Sequence, residues 1–156
     1  SDPLSFFLKR ISKNRLTFLS RGDDSGTHKK ELKLWEAVSL DPYQFRSDWY
    51  KETGSGMGNT LNIAAALNAI TLTDRATWIS FKNKSNLTVI FENHPDLFNQ
   101  YGLVLVKPRN SDRATFKNAK IFCNWLLGVE GKRAINAFRK DGEQLFFADQ
   151  KVQHCD

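Results

Sequence analysis

The sequence predicts an α/β fold in which a sheet is sandwiched by helices. Three observations predict it. Short β-prone runs alternate with stretches of helical periodicity along the 156 residues. Hydrophobic residues make up 40% of the chain and aromatics 12%, enough for a packed core. Two glycine-rich turns, at 20–28 and 54–58, each lead into a helix, and in α/β sheets ligands bind where such turns leave the carboxyl ends of strands.

Taken in order, residues 3–15 read as a short amphipathic helix, with Leu4, Phe7, Leu8 and Ile11 on one face and Lys9, Arg10 and Lys13 elsewhere. The run 16–19 is apolar and β-prone, a buried strand. A helix follows from about 26 to 38, with Leu32, Trp35 and Val38 at helical spacing and a stop at Asp41-Pro42. Residues 42–53 are aromatic and mixed, a helical turn and connector. Residues 59–68 form a helix whose Leu61, Ala64, Ala65 and Ala66 suit close packing. Strands are expected at 70–73, 87–91 and 102–108, the last stopping at Pro108. Asp74 caps a short helix that runs to Phe81. A longer helix spans 112–127, Gly128 interrupts it, and another runs to Phe138. The apolar face of residues 116–138 has no evident partner in the sequence, and the apolar patch 145–147 has to pack somewhere.

The net charge of +6 provides a basic surface and long-range attraction for anions. Lys and Arg are scattered and no recognition motif accompanies them, so nucleic acid is not the expected partner. No run approaches the roughly 18 apolar residues of a membrane span. The sequence begins Ser-Asp-Pro-Leu, and a signal peptide is expected to have been removed or to lie outside this stretch. Two cysteines do not make a disulfide scaffold; Cys123 reads as a small buried hydrophobe, and a bridge to Cys155 would require the tail to fold back.

The stretch Ser20-Arg21-Gly22-Asp23-Asp24-Ser25-Gly26-Thr27-His28 carries the chemistry. Asp24 or Ser25 is a natural N-cap, Gly26 leaves room for a ligand at the backbone, and the amides of Ser25, Gly26 and Thr27 open a helix N-terminus. With Arg21 beside them and the hydroxyls of Ser25 and Thr27 as further donors, this is a socket for a small anion. A competing reading pairs Arg21 with Asp23 or Asp24 in a salt bridge that stiffens the turn. Gly58 and Thr60, at the second turn, are further anion-binding candidates. Asp23, Asp24 and Asp74 are expected around the site rather than on the ligand. Ser25, His28 and Asp24 lie too close on one turn for a relay of the serine-hydrolase kind, so no enzyme is expected. His28 and Glu31 are too few to hold a metal, and His94 and His154 have no evident company.

The string SRGDDSGTH followed by KKELKLW resembles the signature of periplasmic tungstate-binding proteins, the capture subunits of tungstate importers. WYKETG at 49–54, GMGNTLN at 56–62, TLTDR at 71–75, FNQYG at 98–102 and DGEQLFF at 141–147 resemble the same family, in order and at similar spacing. The resemblance implies a type II periplasmic-binding-protein-like α/β fold with an oxyanion in the cleft between two lobes. It implies that residues 3–102 form one complete lobe, and that 103–152 are a crossover strand and C-terminal helices of the other, incomplete lobe. Arg21 and Thr27 match family positions that contact the anion. The family's Thr/Ser-rich loop, which supplies the other half of the cage, has no counterpart among these residues.

The implied ligand is tungstate or molybdate, with no cofactor, and the implied partner is an ABC permease, which places the chain outside the cytoplasm. The missing N-terminal lobe or a second chain is a further expected partner. The same turn also resembles the Arg-x-Asp-Gly-Ser-Gly-Thr motif of phosphate-binding proteins, with Asp24 where glycine is expected, so phosphate is the alternative ligand. An orphan lobe serving as a sensor or interaction module is the alternative role.

Overall fold

The structure, a computed structural model, describes residues 2–106 and 113–148. The chain divides into two compact units, residues 1–98 and 99–156.

In the first unit, helix α1 (Pro3–Lys13) begins at Asp2, whose carboxylate accepts the Ser5 amide at 2.7 Å, with Pro3 in the first turn where its missing N–H costs nothing. Three strands follow: β1 (Phe18–Ser20), β2 (Tyr50–Glu52) and β3 (Ile70–Thr71). They form a parallel sheet in the order β2-β1-β3, with Phe18 opposite both Tyr50 and Ile70. Parallel neighbours need long crossovers. Helix α2 (Gly26–Ala37) connects β1 to β2, and α3 (Met57–Leu67) connects β2 to β3. The helix α4 (Arg75–Ser80) leaves β3.

Side chains alternate across the central strand, and this alternation places the two cores. Phe18 joins Leu4, Leu8 and Ile11 of α1 with Leu34, Trp35, Val38, Trp49 and Tyr50 on one face. Leu19 joins Ala64 and Ala69 on the other, where the small residues of α3 let it lie close to the strands. The first core is aromatic: Phe18 meets Trp35 edge-on at 5.1 Å, and Trp35 meets Trp49 at 5.4 Å. Such pairs add about 0.5–1.5 kcal/mol each beyond the area they bury.

In the second unit, α5 (Arg113–Leu127) packs on α6 (Val129–Ala137). A Cβ on Gly131 would stand 2.4 Å from the Trp125 carbonyl oxygen, so only glycine permits this close turn between the helices. Strands β4 (Arg139–Lys140) and β5 (Glu143–Gln144) form a hairpin. Cys123 is buried and disulfide-bonded, contrary to its reading as a plain small hydrophobe; Cys155 lies outside the described residues. Ile121, Phe122, Trp125 and Val129 are exposed. Of the apolar patch 145–147, Phe146 packs on Tyr101 and Phe138, whereas Phe147 is exposed.

The structure departs from the sequence expectations at four places. The connector 42–53 contains strand β2, which is too short to show alternation and exists because β1 pairs with it. The hairpin β4–β5 was carried by a signal read only as part of a family block: Asp141-Gly142, with φ of 50° and 83°, is a two-residue turn of the kind that joins antiparallel strands. Conversely, 87–91 and 101–106 form no strand. Leu87 and Phe91 pack against the two cores while Val89 and Ile90 face out. Val104 and Val106 are about four-fifths exposed, at 83% and 80%, and no strand among the described residues pairs with them. A β-prone run without a partner has no ladder to join. Residues 107 and 108 of that expected strand lie outside the described residues.

Candidate anion-binding site

All three parallel strands end at the same edge of the sheet, and each is followed by a helix start: Ser25 caps α2, Gly56 caps α3 and Asp74 caps α4. The chain leaves β1 toward β2 on one side, while β3 lies on the other. The site therefore sits at the switch point where α/β sheets open a crevice.

The first turn is wired by side chains. Arg21 donates from Nε (3.1 Å) and Nη2 (2.5 Å) to Asp23 Oδ2. Asp23 Oδ1 accepts the Ser25 amide at 3.2 Å. The Ser25 hydroxyl holds the Asp23 carboxyl down to about 2; partial burial opposes this, and Arg21 and the Ser25 amide reinforce it. Asp24 adopts φ 57°, and its amide donates to His28 Nδ1 at 3.1 Å. His28 Nδ1 is thus an acceptor, which assigns the proton to Nε2, 3.3 Å from the Tyr43 hydroxyl. Ser25 Oγ accepts the His28 amide at 3.3 Å, so it contacts the backbone of His28 and forms no serine–histidine pair with the ring. Gly22 has φ +60°, and a Cβ there would come 2.7 Å from Glu52 Cβ, so glycine is required.

This wiring sorts the donors. The Ser25 amide, expected to face the anion, is turned onto Asp23. Among the described residues no acceptor meets the amides of Gly26 and Thr27 at the start of α2. Arg21, with its side chain 18% exposed, spends two of its five N–H groups on Asp23. Asp24 points outward and pairs with Lys29 at 3.3 Å. The sequence reading in which Arg21 pairs with Asp23 and the one in which it serves an anion thus describe the same guanidinium, whose remaining donors meet no acceptor among the described residues.

The second turn is tied to the first. The Thr53 amide donates to the Ser20 carbonyl at 3.0 Å, and Thr53 Oγ1 contacts the Arg21 carbonyl at 3.4 Å. Gly58 lies exposed in the first turn of α3, with nothing within 4 Å of a Cβ built there. Thr60 differs from its expectation as an anion contact. It is fully buried; its hydroxyl meets Thr53 Oγ1 at 2.8 Å and the carbonyls of Ser55 and Gly56, and its amide bonds the Gly56 carbonyl. Its position one turn inside α3 makes it a strut of the turn, with no donor left for a ligand. Asp74 is likewise a cap, accepting the Thr77 amide at 2.8 Å and hydroxyl at 2.6 Å.

Beneath the first turn lies a buried carboxyl that the sequence singled out only as an insufficient metal partner of His28. Glu31 accepts from Ser20 Oγ (2.5 Å), Trp35 Nε1 (2.9 Å) and the Tyr50 hydroxyl (2.9 Å). Burial pushes its pKa up, and the three donors pull it back. Burial, then the charge of Glu31, push the Tyr50 phenol up, which keeps it a donor. A signal was present: Glu31 stands four residues before Trp35, inside the buried stripe His28, Glu31, Leu34, Trp35, whereas Leu32 sits only half-buried. His94, read as having no company, contacts Asp2 at 2.6 Å and faces Asp96. These three form the cluster with metal-ligating atoms among the described residues, but Nε2 is engaged by Asp2 and Nδ1 accepts the Asp96 amide. His154 lies outside the described residues.

A parallel sheet flanked by helices, with helix starts at its switch point, is an architecture of the periplasmic-binding-protein-like kind. The chain belongs to the PBP superfamily domain family, whose model matches residues 8–130. It is 41% identical over 141 residues to the tungstate-binding protein TupA of Peptoclostridium acidaminophilum, covering 89% of this chain and 48% of that one. It is 38% identical over 136 residues to a putative ABC transporter anion-binding protein of Haloferax volcanii, covering 84% and 39%. It superposes on the tungstate-binding protein TupA of Desulfovibrio alaskensis G20 with a TM-score of 0.82 and 33% identity, over 95% of this chain and 60% of that one. The chain thus spans about half the length, or less, of the curated relatives it matches. No helix among the described residues is long and apolar enough to cross a membrane.

Proposed function

We propose that this chain is the anion-holding part of a solute-binding protein that captures tungstate, or the equally charged and similarly sized molybdate, for ABC-type import. It binds and releases; it does no catalysis. Residues 3–102 form the lobe that carries the first turn, and 103–152 belong to the other lobe, as the family resemblance implies. Its place is outside the cytoplasm and its partner is the membrane permease.

The observation that carries this reading is the donor set at the start of α2: the N–H groups of Arg21 beyond the two given to Asp23, and the amides of Gly26 and Thr27, none of which meets an acceptor among the described residues. A tetrahedral dianion without a proton needs donors only, and a helix N-terminus with roughly half a positive charge beside a guanidinium supplies them. The hydroxyl of Thr27 and the exposed backbone at Gly58 extend the set, while Ser25 caps the helix and braces Asp23. Asp23 and Asp24 shape the turn from outside the ligand shell. Phosphate is less well served. Monohydrogen phosphate carries a proton that needs an acceptor, and both oxygens of Asp23 are already engaged by Arg21 and Ser25.

Calorimetry of this chain with tungstate, with phosphate and sulfate as competitors in mildly alkaline buffer, tests the reading. Tungstate binding that phosphate does not displace is the expected result. Displacement by phosphate would replace tungstate with the alternative ligand. No heat from any oxyanion would overturn binding by this chain on its own.

A further inference from the structure

The donors of the proposed anion socket come from two places: the loop after β1, which carries Arg21, and the start of α2, which carries the Gly26 and Thr27 amides. Their separation depends on how α2 sits against β1. Between them lies Glu31, one and a half turns inside α2 and 2% exposed. Its carboxylate joins three elements: Ser20 at the end of β1 (2.5 Å), Tyr50 at the start of β2 (2.9 Å), and Trp35 one turn along its own helix (2.9 Å). Ser20 is 1% exposed, and its Oγ accepts the Gly22 amide at 3.2 Å. That amide belongs to the residue whose φ of +60° reverses the chain just after Arg21.

The donor arithmetic gives the chain of bonds a direction. The indole N–H can only donate, and the Ser20 hydroxyl, accepting from Gly22, has its own hydrogen free for Glu31. The short Ser20–Glu31 contact fits a charge-assisted O–H···O bond. A carboxylate here gathers three donors and leaves none of the buried side-chain polar atoms among the described residues unpaired.

We propose that Glu31 is a positioning residue for the anion turn: through Ser20 it fixes the Gly22 amide, and through its own helix it sets where the free amides of α2 stand relative to Arg21. Glu31 touches no ligand. The inference rests on the oxyanion reading above for its purpose, but the geometry it asserts exists without ligand, so the two fail separately.

Hydrogen exchange at the Gly22 amide, followed by NMR in the unliganded chain, reads the geometry directly. Ser20→Ala removes the acceptor of that amide, and exchange there is expected to accelerate about tenfold, the scale of one lost hydrogen bond. The Thr53 amide, bonded to the Ser20 carbonyl, should keep its rate and serves as the internal reference. Glu31→Gln should accelerate Gly22 in the same direction, and the double variant should exchange no faster than Ser20→Ala alone, because both changes act on one linkage. Unchanged Gly22 exchange in Ser20→Ala overturns the proposal even if Glu31→Gln fails to fold. Additive effects of the two changes overturn it as well, since Glu31 would then act by another route. In parallel, tungstate titration of wild type and Ser20→Ala should show weaker binding in the variant. If wild type takes up no tungstate, the oxyanion reading fails while the Gly22 rates still decide the positioning role.

Discussion

The two turns that leave β1 and β2 share a plan and differ in how it is carried out. Each runs from a parallel strand into a helix of eleven or twelve residues at the same sheet edge. The first is capped by Ser25, braced by Asp23, and backed by His28, Ser20 and Glu31. The second is capped by a glycine with no side-chain bond, and its one buried polar side chain, Thr60, is spent on holding the turn. The first turn therefore presents a guanidinium and two fixed amides; the second presents bare backbone. A helix N-terminus alone is a weak, partial charge, and the side chains beside it turn it into a directed socket.

The largest expected effect breaks the charged turn. Arg21→Ala removes the guanidinium of the proposed socket and should weaken tungstate binding by about 1.5–3 kcal/mol, on the order of 10- to 100-fold. Titration calorimetry checks it, and an unchanged affinity would shift the anion toward the second turn.

A pair of glycine substitutions sharpens the contrast. Gly22→Ala meets both a left-handed backbone and the Glu52 side chain, so unfolding stability should fall by about 1–3 kcal/mol. Gly58→Ala meets neither and replaces a glycine within a helix, so stability should rise by up to about 1 kcal/mol. Denaturant titration of both variants tells the turns apart; equal losses would erase the difference drawn between them.

The smallest effect is the pH dependence of the first turn. The Asp23 pKa is depressed to about 2, so its carboxylate stabilises the folded chain above the ordinary aspartate range and loses that contribution as pH falls through about 2. Glu31 has the opposite sign: its raised pKa makes the folded state less favoured as pH climbs past the ordinary glutamate range. Thermal melts of Asp23→Asn against wild type should differ by a constant amount at neutral pH and converge toward pH about 2. A gap that persists there would mean that the Asp23 contacts do not depend on its charge.

Much of this was legible in the residues themselves. The caps Ser25 and Asp74, the helix starts near 26 and 113, and Trp35 as a core residue followed from local pattern, because a cap or an amphipathic stripe involves residues three or four apart. What escaped were features with distant partners. Strand β2 is invisible in Trp49-Tyr50-Lys51-Glu52 until β1 lies beside it. The run 101–106 carries every local mark of a strand and forms none. Glu31 stood out only beside His28, as a pair too small to hold a metal, and its contacts depend on Tyr50, 19 residues away.

The sequence by itself determined that a donor-bearing turn stands before α2 and which donor types it contains: an arginine, two hydroxyls, and a glycine-flanked helix start. These are short-range facts of backbone freedom and capping. Only the tertiary structure decided which donors stay available. It turned the Ser25 amide onto Asp23, enclosed Thr60, and left the Gly26 and Thr27 amides without an acceptor among the described residues, because the competing acceptors arrive from strands and helices that folding alone brings together.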